Sequence, residues 1–176
     1  MMQGRPRASR PPPMSGRVAS VNTSPGGVPK LPADGAVWVH DRGLVGDGHN
    51  EPEPSHGGPE QAVSLYSVES IQRVAAEGHT AFPGAFGENL TLEGIELGSL
   101  ASGDRLAIGD SGLVIQVTKR AEPCQTIAHW FVERRIARIG SPQHPEDARW
   151  YARVMQPGPV RAGDAVEHVP AEVRGA

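Results

Sequence analysis

The stretch GDRLAIGDSGLVIQVTKRAEPC, residues 103–124, holds two short apolar runs, Arg105 to Ile108 and Leu113 to Thr118. Gly109, Asp110 and Gly112 separate them and Pro123 closes the second. Short runs of this kind between Gly, Pro and Asp read as β-strands. The same punctuation repeats outward along the chain. Val18 with Val21, Val37 to Val39, Ala62 to Tyr66, Asn89 to Leu92, Trp150 to Met155 and Ala165 to His168 are further strand candidates. In places they recur about every 8 to 12 residues, the rhythm of a barrel or sandwich. The composition agrees: 22 Gly and 17 Pro against 5% aromatic residues favour short strands joined by turns. The fold class is therefore mainly β.

Two segments read as helix. In the first, Ser67 caps, Glu69 sits in the first turn where the helix dipole favours an acid, Val68, Ile71, Val74 and Ala75 make one apolar face, and Gly78 ends it. The second is expected to begin near Gln125. Ile127, Trp130, Phe131 and Arg134 to Ile136 keep a helical spacing until Gly140 and Pro142.

A chain of 176 residues fits one ordinary domain with a real core. Residues 1–15 place Arg5, Arg7 and Arg10 among prolines with almost nothing apolar to bury, so a disordered basic tail is expected there. The domain is expected over 16–169 and a C-terminal tail over 170–176. Met14 directly precedes the first strand-like segment, which makes it an alternative start of translation. Net charge is −3, with 17 basic and 20 acidic residues intermixed, and gives no case for nucleic acid as main partner. No apolar run is long enough to span a bilayer or form a signal peptide. The single cysteine makes no internal disulfide, so a cytoplasmic location is expected.

That cysteine, Cys124, lies between a strand ending at Lys119 and Arg120 and the expected second helix. A thiol at a helix N-terminus with cations nearby is expected to have a lowered pKa, which makes it a nucleophile and a soft metal ligand. Glu122 works against that shift. The competing reading is a small buried hydrophobe. A Cys–His nucleophile needs an imidazole in contact, and the spacing selects none of His40, His49, His56, His79, His129 and His144.

Other residues suggest a ligand. Ser24, Gly26, Gly27 and Lys30, and later His56, Gly57 and Gly58, mark loops where backbone can approach a ligand closely. Lys30, Arg42, Lys119 and Arg120 stand near strand ends, where they either converge on a phosphate or are simply solvated. Asn89 offers a donor and an acceptor to a heterocycle, or satisfies its own loop. His40, Asp41, Asp47, His49 and His56 are dense enough to supply a divalent metal, with His49 and His56 the weaker metal-ligand candidates; solvated loop histidines explain them equally well.

In chain order, Ser24-Pro25-Gly26-Gly27-Val28-Pro29-Lys30, Gly43-Leu44-Val45-Gly46-Asp47, His56-Gly57-Gly58, Pro83 to Leu90, Gly103-Asp104-Arg105, Pro123-Cys124, Trp150-Tyr151-Ala152-Arg153-Val154 and Gly163-Asp164 resemble the MOSC family, the C-terminal domain type of molybdenum cofactor sulfurases. The stand-alone bacterial members are the nearest type. The resemblance implies a closed antiparallel β-barrel with a few short helices, of the pyruvate-kinase-barrel kind. It implies that Cys124 binds the molybdenum of the pterin cofactor (molybdopterin) or carries a persulfide. It also implies cofactor binding by Lys30, His56, Gly57, Gly58, Asn89, Lys119 and Arg120. The activity implied is reduction of N-hydroxylated or similar small molecules with an external electron donor. The alternatives are a sulfur carrier fed by a separate cysteine desulfurase, and a repurposed barrel binding another ligand or divalent metal.

Overall fold

The computed structural model describes residues 10, 12–48 and 58–172. Its strands are β1 (Ser15–Thr23), β2 (Leu31–Pro32), β3 (Val37–His40), β4 (Gly43–Leu44), β5 (Val63–Ser67), β6 (Leu90–Glu93), β7 (Arg105–Ile108), β8 (Leu113–Ala121), β9 (Arg149–Gln156), β10 (Gly158–Val160) and β11 (Ala165–Val169). Among the described residues one α-helix, α1 (Val68–Ala76), follows β5 directly.

The strand order β11-β7-β8-β9-β5-β6-β1 closes on itself because β1 also pairs with β11, Gly16 lying opposite Val166. The result is a closed barrel, with β2 appended to the end of β1 and a small sheet β10-β3-β4 beside it. Closure removes the free edges that would otherwise invite pairing with other chains. All these pairings are antiparallel except β5 with β6, where Leu65 lies beside Leu90 in a parallel ladder. The expected closed, mainly antiparallel barrel is borne out, with this one parallel pair. Parallel neighbours need a crossover, and α1 lies on that connection. Ser67 caps it as expected, its Oγ accepting from Ser70 N at 3.1 Å.

Alternation along the strands makes two layers. Val63, Leu65, Leu90, Leu92, Leu106, Ile108, Leu113, Ile115 and Ala152 are buried and meet across the ladders, filling the barrel. The alternate positions Ser64, Tyr66, Thr91 and Arg149 are buried too, although several are polar. They lie beneath the long connections, and the candidate site is built on them.

Two expectations change. The helix after Cys124 is a broken run of 3-10 turns, Gln125–Trp130, Val132–Arg134 and Ile136–Ile139. Glu133 and Arg134 take positive φ of 52° and 57°, which interrupts any α-helical ladder. The apolar spacing is met by burying Ile127, Phe131 and Ile139 from separate turns. At the N-terminus, the chain expected as a tail up to residue 15 is engaged earlier. Arg10 pairs with the buried Asp104 and donates to Ala171 O, and Met14 packs on the core. Asp104 also accepts from Ala171 N at 2.9 Å and meets His168 Nε2 at 2.8 Å, so Arg10, His168 and Ala171 are anchored on one carboxylate.

Candidate functional site

Lys30 lies just before β2 and donates from Nζ to Asp47 Oδ2 at 2.7 Å, with side chains only 8% and 4% exposed. Asp47 also accepts from Ser24 N at 3.0 Å and Asn89 Nδ2 at 2.9 Å. Asn89 Oδ1 accepts from Ser64 N at 3.1 Å, and its amide also donates to Asn22 O at 3.3 Å. Thus Lys30 and Asn89, far apart in sequence, meet through Asp47. Both act here on other protein groups. Lys30 is neutralised, and the Asn89 amide stitches β5, β1 and the loop after β4 together.

The loop 83–89 is tied to the same cluster. Lys30 N donates to Gly84 O at 2.9 Å. Gly84 has φ +88°, and a Cβ there would stand 1.9 Å from Lys30 O, so only glycine allows this approach. Glu88 is wholly buried; its Oε1 accepts from Gly84 N at 2.7 Å while Oε2 has no partner. Burial pushes its pKa up, against hydrogen bonds and the nearby Arg149 charge that pull it down. Phe86 packs edge-on against Tyr66 and stacks with Phe131. The Tyr66 hydroxyl is buried without a partner, and desolvation holds it protonated far above the usual phenol range.

Arg149, at the start of β9, connects this loop to the cysteine. Its guanidinium donates to Phe86 O and, at 3.3 Å, to Glu122 O in the turn that precedes Cys124. It is 7% exposed, and its Nε is buried with no partner. Cys124 itself is exposed, its Sγ 3.2 Å from Thr126 Oγ1. It is therefore not the buried hydrophobe of the competing reading, and the α-helix whose dipole was to act on it is replaced by a 3-10 turn. Tyr151 feels both groups: burial raises its pKa, Arg149 lowers it, and Cys124 raises it.

The other expected residues are used differently. Arg120 stacks over the Trp150 ring at 4.0 Å and donates to Ala148 O at 3.0 Å. It pairs with Trp150 across the ladder while Ala121 pairs with Arg149, so the two arginines lie on opposite sides of β8–β9. Burial lowers the Arg120 pKa. Lys119 is exposed at the irregular end of β8, Arg42 is exposed, and Gly58 is buried before the turn 59–61. Thr118 Oγ1 donates to Glu60 O at 2.6 Å, bringing that turn to the end of β8. His49, His56 and Gly57 lie outside the described residues. Among the described residues no three His, Cys, Asp or Glu side chains form a metal-binding group, and no histidine bonds to Cys124. Sequence reasoning missed Arg149. The available signal was a cation at the head of the quoted Trp150 to Val154 segment, on a strand beginning where β8 ends.

A family model of the MOSC domain matches residues 52–167. This chain belongs to the MOSC domain family. The Bacillus subtilis (strain 168) protein YflK is 31% identical over 145 residues, 80% of this chain and 62% of YflK. The Escherichia coli (strain K12) protein YiiM is 31% identical over 153 residues, 82% of this chain and 64% of YiiM. The chain thus spans less than two thirds of either relative. The crystal structure of YiiM from Escherichia coli matches with a TM-score of 0.68 at 27% identity, covering 92% of this chain and 72% of that one. A Gibberella moniliformis (strain M3125 / FGSC 7600) protein named reductase is 28% identical over 141 residues, 76% of this chain but 24% of that protein. The MOSC barrel and family expected from the sequence are therefore established. Among the described residues no helix is long and apolar enough to cross a membrane.

Proposed function

We propose that this MOSC domain binds the molybdenum cofactor with Cys124 as the protein ligand to the metal, and serves in reduction of N-hydroxylated or similar small molecules. The observation that carries the reading is the exposed thiol at the turn leaving β8. The residues present fit the group. A cysteine sulfur is a soft ligand suited to a thiophilic metal, and among the described residues Cys124 has no carboxylate or imidazole hydrogen-bond partner to compete for it. When bound, the cofactor would supply the redox chemistry, and the chain supplies orientation and access. Lys119 and the Gly58 backbone would line the cofactor. Lys30 and Asn89 would act through Asp47, holding the loops 24–30 and 83–89 in place. An electron donor from another protein is part of this reading, as is the reductase-named relative in which the matched portion is a minor part.

Protein made in a host competent for the cofactor should carry molybdenum and pterin, and Cys124→Ser should lose the molybdenum. Molybdenum held equally by wild type and Cys124→Ser removes Cys124 as ligand. Turnover by molybdenum-free protein removes the cofactor reading altogether.

The exposure of Cys124 also favours a second reading, a persulfide carrier served by a cysteine desulfurase. Mass spectrometry after incubation with desulfurase and cysteine should then show a one-sulfur adduct, absent in Cys124→Ser. No adduct on wild type eliminates this alternative.

A further inference from the structure

We propose that Arg149 is an oxyanion-binding residue at the turn that precedes Cys124, a site distinct from the Lys30–Asp47 pair. The identity of its oxyanion rests on the cofactor reading above; the site itself rests on the guanidinium. Arginine carries five N–H donors and a charge it does not shed. Arg149 directs donors to two backbone carbonyls, Phe86 O and Glu122 O, and its Nε–H is buried without a partner. Carbonyls accept hydrogen bonds but do not cancel a charge.

Several other arginines reach a carboxylate, and Arg120, which like Arg149 donates to a backbone carbonyl, stacks over the Trp150 ring and is less buried. Arg10 reaches Asp104, Arg73 and Arg138 reach Asp147, and Arg153 reaches Glu60. Arg149 is more deeply buried than the side chains of any of these and has no carboxylate partner among the described residues. Glu88 lies close enough to feel the Arg149 charge, but burial raises its pKa and works against the ionised form. An uncompensated buried cation is costly unless something arrives to pair with it. A phosphate, or another oxyanion of similar shape, matches the fork of a guanidinium and would supply both charge and acceptors. The position suits it: Arg149 joins the loop 83–89 to the turn before Cys124, the proposed metal ligand. The occupant is then the phosphate of the cofactor or an oxyanionic group of a substrate.

The test is calorimetric titration of the full chain with inorganic phosphate, in wild type, Arg149→Gln, Arg149→Lys and the surface control Arg17→Gln. Arg17 is largely exposed and paired with Glu93, so its removal tests general loss of positive charge. Wild type and Arg17→Gln should bind alike, Arg149→Gln should lose binding by more than about tenfold, and Arg149→Lys should fall between, keeping charge but losing the fork. Circular dichroism establishes that each variant is folded; should Arg149→Gln not fold, Arg149→Lys decides. No phosphate binding by wild type, or equal binding by a folded Arg149 variant, overturns the proposal. Molybdenum and pterin analysis of the same proteins separates the two readings. Phosphate binding through Arg149 in protein that never acquires molybdenum sustains the site, assigns it to a substrate oxyanion and ends the cofactor reading. Molybdenum retained with phosphate affinity indifferent to Arg149 does the reverse.

Discussion

Removing the Asp47 carboxylate strands Lys30 inside the protein. In Asp47→Ala the ammonium, whose side chain is 8% exposed, loses the partner 2.7 Å away. Ser24 N loses its side-chain acceptor, while the Asn89 amide keeps its second bond to Asn22 O. Breaking a buried pair by deleting one member costs roughly 3–5 kcal/mol, so a loss of about 4 kcal/mol is expected. With a urea m-value of about 2 kcal/mol/M, that shifts the unfolding midpoint by about 2 M. Lys30→Met should cost less, roughly 2–3 kcal/mol, because the carboxylate left behind keeps two neutral donors. The double variant buries no orphaned charge, so its cost should fall short of the sum by at least about 1 kcal/mol. Equilibrium urea unfolding followed by circular dichroism measures all three. A cost under about 1 kcal/mol for Asp47→Ala, or additivity within about 0.5 kcal/mol, would refute the argument that this is a desolvated, mutually dependent pair.

Glu88 gives a pH prediction. Its folded pKa is raised by burial, so its contribution to stability is present below the unfolded value of about 4.3 and is lost as pH rises through the folded value. Glu88→Gln keeps an oxygen for Gly84 N and removes the ionisation. Its thermal midpoint should exceed that of wild type at about pH 8 and approach it near about pH 4; parallel pH curves would contradict this. Gly84→Ala should force the loops 24–30 and 83–89 apart, since the new methyl meets a backbone oxygen at positive φ. A loss of at least about 2 kcal/mol in urea unfolding is expected, and a loss below about 1 kcal/mol would show that the approach is easily relaxed.

By itself the sequence determined what depends on near neighbours. Gly, Pro and Asp between β-prone runs set most of the strands within a residue or two, and Ser67 and Gly78 delimited α1. A segment's intrinsic geometry follows from its own residues, so these features are readable locally. The apolar spacing after Cys124 misled because burial of Ile127, Phe131 and Ile139 requires only that they reach the core, which separate 3-10 turns achieve as well as a helix. Tertiary structure alone decided which groups of opposite charge meet. Nothing near Lys30 in the sequence assigns it to Asp47 and Asn89, or turns Arg149 toward the Phe86 and Glu122 carbonyls. Those outcomes depend on which loops the closed barrel brings together, and at a buried site the presence or absence of a partner charge is worth more than any local preference.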